Sequence, residues 1–207
     1  MVNVLVVEDS KITREAIVHQ LMQMPEYNIV LTIENAANAD IACMHGNIDL
    51  ILMDVCTADD ESGLEAARRI KQHDPQIRII IMTSMPEHSF LQKARKYGCD
   101  SFWYKEYGDV SLTEICRRTM RGESVFPADT PTLKIGEADS KDFSERELDV
   151  IRELVSGSRY CEIAQNLLIT ENTVKFHVKA ILSKTGYRNT LQLVADVVEK
   201  RMVLPKY

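Results

Sequence analysis

Asp54 closes the apolar run DLILM, and three further acids, Asp59, Asp60 and Glu61, follow within seven residues. Three other short apolar runs in the first 120 residues also end on charged or hydroxyl side chains. VNVLVV runs into Glu8 and Asp9, RIIIM into Thr83, and DSFWY into Lys105. Taken singly, each has an ordinary explanation: acids after strands cap helices, threonine ends strands, and lysine is solvated. Together they make a chemical set of three carboxylates, a hydroxyl and an ammonium. Crowded carboxylates repel and raise one another's pKa unless a cation sits among them. A hard divalent ion meets that need, and magnesium takes one or two carboxylates together with waters and phosphate oxygens. A carboxylate there can accept a phosphoryl group as a mixed anhydride, provided metal, hydroxyl and cation hold the transferring oxygens. Asp54 is the candidate nucleophile, Glu8 and Asp9 its companions on the metal, and Thr83 and Lys105 the hydroxyl and the cation.

These side chains can meet only if the apolar runs lie side by side. The first 120 residues alternate β-branched runs with longer segments of helical period, the pattern of a parallel sheet with covering helices. Strands are expected over 2–7, 28–33, 49–53, 78–82 and 100–104. Helices are expected to start near Ser10, Asn35, Pro86 and Gly108, and the clearest is SGLEAARRIKQ, opened by Ser62 and Glu65 in capping-box spacing. In open α/β sheets ligands bind beyond the carboxyl ends of the strands, where all five candidate residues fall.

On these residues, positions 1 to about 120 resemble the receiver domain of two-component response regulators, the fold family of CheY. The resemblance implies a flavodoxin-like fold and a role for each residue. Glu8 and Asp9 match the magnesium-binding acids, Asp54 the phosphoacceptor, Thr83 the switch hydroxyl, Lys105 the phosphate-binding lysine and Phe102 the switch aromatic. The carbonyl of Cys56 matches the remaining protein ligand of the metal, so its thiol is incidental. One loop departs from the family. Where Asp-x-x-x-Pro is usual, with glycine eight residues after the aspartate, Ala58 replaces the proline and Gly63 comes nine residues after Asp54. The added charges of Asp59, Asp60 and Glu61 are expected either to strengthen metal attraction or to repel a phosphodonor; as a solvated loop they favour the start of the Ser62 helix.

The whole chain supports two modules. Its 207 residues suffice for one large domain or two small ones, and its net charge of -6 is uneven. Residues 1–140 carry 14 basic and 22 acidic side chains, whereas 141–207 carry 11 and 9, so the basic end is the candidate for a polyanionic partner. Five dispersed cysteines without a Cys-x-x-Cys pair read as reduced thiols. No segment reaches membrane-span length, and the start lacks a basic signal-peptide flank, so the expected location is the cytoplasm, with no membrane partner.

Residues 122–142, with two prolines, two glycines and many polar residues, read as a linker between domains at 1–121 and 143–207. The second domain opens with Ser144 and Glu147 in a capping box flanked by Phe143 and Leu148 as a staple, with Leu148, Ile151, Leu154 and Val155 as the apolar face. Gly157 stops that helix, a short one spans YCEIAQNL, Thr170 caps a third running to Lys184, and Asn189 with Gln192 opens a fourth. Four short helices with a tight turn between the second and third describe an all-α helix-turn-helix module. In the third helix Val174, Val178, Ile181, Leu182 and Thr185 recur at core spacing, while Asn172, Lys175, Phe176 and Lys179 share another face. No acid between Asn172 and Ala195 balances Lys175, Lys179, Lys184 and Arg188. A charge run is ordinarily a solvated face; Phe176 beside the lysines and the placement after a turn point instead to DNA. His177 reads as a packing residue.

FSERE, Gly157, EIAQNL and TVKFHVKAILSKTG make residues 143 to about 200 resemble the LuxR-type DNA-binding domain of NarL/FixJ regulators. That resemblance sends Lys175, Phe176 and Lys179 into the major groove, with Asn172, Thr173, Lys184 and Arg188 beside them, and makes Leu191, Val194, Val197 and Val198 of the last helix a dimer face on DNA. The expected protein is a regulator that a sensor histidine kinase phosphorylates on Asp54, that dimerises and binds promoter DNA, and that is not an enzyme beyond slow loss of its own phosphoryl group. Phosphoryl on Asp54 is expected to draw in Thr83 and then Phe102. Two other readings compete. A phosphohydrolase of the haloacid dehalogenase type needs an acid where Cys56 stands, and a phosphate-blind receiver would serve only for dimerisation.

Overall fold

The computed structural model describes residues 1–107 and 110–203 and divides into two compact units, one of Met1–Ser84 with His88–Thr130 and one built on the residues from Pro131. In the first unit β1 (Val2–Val7), β2 (Tyr27–Ile33), β3 (Leu50–Asp54), β4 (Arg78–Thr83) and β5 (Ser101–Tyr104) form a parallel sheet in the order β2-β1-β3-β4-β5. Helices cover both faces, and the central strands are correspondingly apolar throughout rather than alternating; every residue of β3 is buried. On one face Val4, Val6, Leu50, Leu52, Ile80 and Met82 pack with Ile17 and Leu21 of α1 (Lys11–Met22) and with Leu112, Ile115 and Cys116 of α5 (Leu112–Met120). On the other face Leu5, Val7, Ile51, Met53, Ile79 and Ile81 pack with Ala39 of α2 (Ala39–His45), Leu64, Ala67 and Ile70 of α3 (Gly63–His73), and Leu91 and Ala94 of α4 (His88–Lys96). At about 1.5–3 kcal/mol for each large aliphatic side chain removed from water, these two layers are what hold the strand ends in place.

The helix starts follow local capping. Ser10, Ser62 and Ser111 accept from the N–H three residues on. Glu65, however, does not complete a capping box with Ser62, because its carboxylate is taken by Arg68 and by the Tyr97 hydroxyl, each at 2.8 Å. Asn35 opens a single 3-10 turn (Ala36–Asn38) ahead of α2 rather than α2 itself. The start expected at Gly108 lies outside the described residues.

Residues 122–142 are not a free linker. Val125 lies beside β5, its carbonyl accepting from Phe102 N–H at 2.9 Å and its own N–H donating to Ser101 Oγ at 3.1 Å, so this stretch belongs to the first unit. From Pro131 the chain belongs to the second unit, where β6 (Lys134–Ile135) and β7 (Ala138–Asp139) make a two-residue-turn hairpin followed by a 3-10 turn (Ser140–Asp142). Ile135 is fully buried, and Glu137 N–H donates to the carbonyl of Thr185 at 3.0 Å. Gly136, at φ 58, is required twice over, since a Cβ there would sit 2.1 Å from the same carbonyl.

The helices of this unit are α6 (Glu145–Val155), α7 (Tyr160–Asn166), α8 (Glu171–Thr185) and α9 (Thr190–Glu199). The Ser144–Glu147 capping box is complete, and Phe143 is buried in the same cluster that Leu148 packs against. Val150 and Ile151 supply the buried centre of α6, while Leu148, Leu154 and Val155 are half-buried at its margins. Glu153, buried as well, accepts from Ser158 and Asn166 and so ties α6 to the turn and to α7. Val174, Val178, Ile181 and Thr185 of α8 are buried as their spacing requires.

Candidate functional site

β1, β3, β4 and β5 run parallel and in register, so their carboxyl ends come out together: Val7 pairs with Met53, Asp54 with Met82, and Thr83 with Tyr104. The strand order reverses at β1, whose neighbours are β2 and β3, and the crevice beyond that point is where open α/β sheets receive ligands. Glu8 and Asp9 leave β1 there, and Asp54 is the last residue of β3. Ligand oxygens of these three acids lie within 4.8 Å of one another. Glu8 and Asp54 are buried and Asp9 is exposed, which gives the cluster one open side.

Lys105 reaches into the cluster from the end of β5, 2.5 Å from Glu8 Oε2 and 3.0 Å from Asp54 Oδ1. Burial opposes charging of this ammonium, but Asp54 and Glu8 outweigh it and hold its pKa above the ordinary value. Burial pushes Asp54 the other way for an acid, up to about 7, with Glu8 and Asp9 adding to the rise and Lys105 opposing it. One ammonium is therefore too little for three carboxylates. An all-oxygen donor set with one exposed side suits a hard divalent cation that keeps part of its water shell, and Glu8, Asp9 and Asp54 are the side chains that could hold it. The Cys56 backbone lies in the same loop, paired as a β-bridge to Ser62, and the Cys56 side chain is half-buried. Thr83 is buried at the end of β4, its carbonyl accepting from Lys105 N–H at 2.9 Å.

The raised Asp54 pKa has a stability consequence whose sign is fixed. The unfolded carboxylate ionises near its ordinary 3.8, whereas the folded one does so at about 7. Between those values the folded state keeps a proton that the unfolded state has lost, so wild-type stability falls as pH rises toward and through 7. In magnesium-free buffer Asp54→Asn is expected to exceed the wild type by about 1–3 kcal/mol near about pH 8.5, with the gap narrowing by about pH 5.5. Denaturant titrations at the two pH values check this, and a gap that widens on acidification contradicts it.

Two supports of the pocket, Arg14 and the Thr57 anchor, go beyond the residues expected from the sequence. Arg14, on the first turn of α1, donates to the carbonyls of Glu8 at 2.6 Å and Asp9 at 3.3 Å and pairs with Glu34 at 2.8 Å, bracing the acidic pair from behind. Its spacing five residues after Asp9 was the available signal. The lengthened loop after Asp54 is held by Thr57, which donates to Glu61 O at 2.7 Å and accepts from Ala36 N–H at 3.0 Å. Asp59 takes a left-handed conformation (φ 59) and accepts from Asn35 at 2.8 Å, so its charge is engaged by the neighbouring loop. Gly63 then packs directly on the Asp54 carbonyl, where a Cβ would lie 1.8 Å from the oxygen.

Phe102 is 1% exposed, edge-on to Tyr104 at 4.9 Å and covered by Phe126 at 6.5 Å. In this structure the ring lies within the core of the first unit.

In the second unit Asn172, Lys175, Phe176 and Lys179 are exposed on α8, and Phe176 keeps 69% of its surface in water. Thr173 is half-exposed and exchanges a hydrogen bond with Thr170 at the helix start, and Arg188 is exposed beyond the helix end. Lys175, Lys179 and Arg188 make no ion pair among the described residues. Lys184 differs from them in being paired. Its ammonium lies 2.7 Å from the buried Glu147 and donates to Asp142 O at 2.8 Å, a structural bridge from α8 to the start of α6. His177 is half-buried and edge-on to Phe176 at 5.8 Å. On α9, Val197 is fully buried beside Leu193, so the outward apolar stripe consists of Leu191, Val194 and Val198 without Val197.

Residues 4–117 match the family of response regulator receiver domains, and residues 141–196 match the luxR family of bacterial regulatory proteins. The response regulator protein VraR of Staphylococcus aureus is 30% identical over 208 residues, covering 98% of this chain and 99% of that protein. Among solved structures, RcsB of Salmonella typhimurium shares the fold with a TM-score of 0.57 at 20% identity, over 95% of this chain and 98% of that one. A LuxR-family two-component response regulator from Aurantimonas sp. aligns with a TM-score of 0.56 at 25% identity over 59% of this chain and 87% of its own. Matches of both kinds, in this order along one chain, make the protein a response regulator, a DNA-binding transcriptional regulator of a two-component system with a receiver domain followed by a LuxR-type DNA-binding domain.

Proposed function

We propose that Asp54 receives a phosphoryl group from a sensor histidine kinase, with magnesium among Glu8, Asp9, Asp54 and the Cys56 carbonyl, and that phosphorylation drives homodimerisation and promoter binding in the cytoplasm. The observation that carries this reading is one buried ammonium, Lys105, facing both Glu8 and Asp54 in a three-carboxylate pocket at the sheet's switch point. An Asp54 carboxylate oxygen attacks phosphorus; the O–P bond forms as the N–P bond of the phosphohistidine breaks, and the imidazole leaves with the electron pair. Magnesium, when bound, supplies the positive charge that lets phosphoryl oxygens approach three carboxylates. Lys105 turns from Glu8 to one phosphoryl oxygen, and the Thr83 hydroxyl donates to another. Arg14 keeps the Glu8 and Asp9 main chain from drifting as charge enters.

On the DNA side, Lys175 and Lys179 reach guanine O6 and N7 or phosphate, the Phe176 ring meets thymine methyl groups, and Asn172, Thr173 and Arg188 lie alongside. Leu191, Val194 and Val198 form the dimer contact on DNA.

The test is intact-mass measurement after incubation with magnesium and acetyl phosphate, with Asp54→Ala alongside. The expected result is one added phosphoryl group on the wild type alone. Absence of label from both acetyl phosphate and a phosphorylated histidine kinase overturns the phosphoacceptor assignment.

A further inference from the structure

The segment between α5 and Pro131 is seated on β5 more firmly than a connection needs to be. Ser124 Oγ donates to Asp100 O at 2.9 Å, Val125 exchanges two hydrogen bonds with Ser101 and Phe102, and Phe126 covers Phe102. Arg95 of α4 stacks over Phe126 with its guanidinium 4.4 Å from the ring centroid and donates to the Pro127 carbonyl at 3.4 Å. The last residue of this unit, Thr130, accepts from the hydroxyl of Tyr104 at 3.1 Å, and Tyr104 is itself 2% exposed. The next residue, Pro131, begins the DNA-binding unit.

Tyr104 links the Thr130 end of this segment's seat to the strand end at the pocket. It pairs with Thr83 in the β4–β5 ladder and precedes Lys105, whose N–H is bonded to the Thr83 carbonyl. A shift of the Thr83 main chain toward a phosphorylated Asp54 would be passed to Tyr104 through this pairing. Phe102 cannot absorb that movement by turning inward, because it already fills the core under Phe126. Tyr104 and Phe102 are also β5 residues that the seated segment holds directly, through Thr130, Val125 and Phe126.

We propose that residues 124–130 are a strap on β5 that carries the state of the Asp54 pocket to the start of the DNA-binding unit, with Tyr104 as the positioning residue that holds the strap through Thr130. The inference rests on the phosphoacceptor reading above. In the resting protein the Tyr104–Thr130 bond and the Phe126 lid keep the strap down; when Thr83 is drawn toward the pocket the strap loosens and residues at Pro131 gain freedom.

The experiment uses the full chain, magnesium and beryllofluoride, with bound beryllofluoride followed by fluorine NMR and amide exchange followed peptide by peptide. In the wild type, exchange across 124–130 is expected to rise about tenfold on beryllofluoride binding, the equilibrium equivalent of one hydrogen bond lost. Tyr104→Phe, which removes only a hydroxyl, is expected to show the raised exchange without beryllofluoride while binding beryllofluoride as the wild type does. Thr130→Val removes the same bond from the other partner and is expected to give the same result, which separates coupling from any packing fault at Tyr104. Bound beryllofluoride with unchanged exchange in 124–130 overturns the strap and leaves the pocket assignment intact. No bound beryllofluoride in the wild type overturns the phosphoacceptor reading and the strap with it.

Discussion

Gly63→Ala is expected to abolish labelling of Asp54 and to lower the thermal midpoint of the receiver unit by more than about 10 °C, for a loss of about 3 kcal/mol or more. The reason is distance alone. A Cβ on residue 63 would stand 1.8 Å from the Asp54 carbonyl oxygen and 2.9 Å from the side chain of Met53. Neither neighbour can yield, since Met53 and Asp54 end a fully buried strand and Gly63 N–H is bonded to Val55 O at 2.9 Å. The loop between Asp54 and α3 would have to rise, taking with it the Cys56 carbonyl and the Thr57 anchor. A wild-type midpoint together with wild-type labelling by acetyl phosphate refutes this account of the loop. Its extra length is thus absorbed ahead of Gly63, in the 3-10 turn at Ala58–Asp60 where Asp59 adopts its left-handed conformation.

Lys179→Ala is expected to weaken binding to promoter DNA by about one to two orders of magnitude and to reduce the salt slope by about one charge. Lys179 is exposed on α8 without an ion pair among the described residues, so its ammonium is available to phosphate or guanine. Lys184→Ala provides the contrast. That substitution takes the partner from Glu147, which Lys184 and Ser144 together hold below its ordinary pKa against the opposing effect of burial. Its expected effect is a lower unfolding midpoint with an unchanged salt slope. Affinity measured across a salt series for both variants decides the matter, and equal slopes for wild type and Lys179→Ala remove that residue from the interface.

The strands were legible because a parallel sheet buried on both faces needs uninterrupted apolar runs, and the residues that end those runs then fall at one edge of the sheet. The helix starts at Ser10, Ser62, Ser144, Thr170 and Asn189 were legible because capping is local. What escaped detection involved partners distant in sequence. Lys184 looked like part of a basic face because its acid, Glu147, lies on another helix. Val197 looked like surface because α9 carries apolar residues on two sides. The β6–β7 hairpin was missed because two-residue strands have no period to detect; Ile135 and Ala138 around the Gly136-Glu137 turn were its only trace. Phe102 could not be recognised as already covered without Phe126, which lay in a stretch read as linker.

The hairpin also sets where this protein can be cut and joined. Glu137 satisfies the terminal carbonyl of α8, Gly136 fits closely against it, and Ile135 fills the core beneath. The helix proposed to face DNA is thus finished by residues that precede all four helices in the chain. A chimera joined at residue 143, where the helices begin, would inherit a recognition helix with a frayed end, whereas one joined near residue 131 would carry the complete reading head. The transferable cassette of this protein is therefore longer than its helices suggest, beginning near Pro131 rather than at α6.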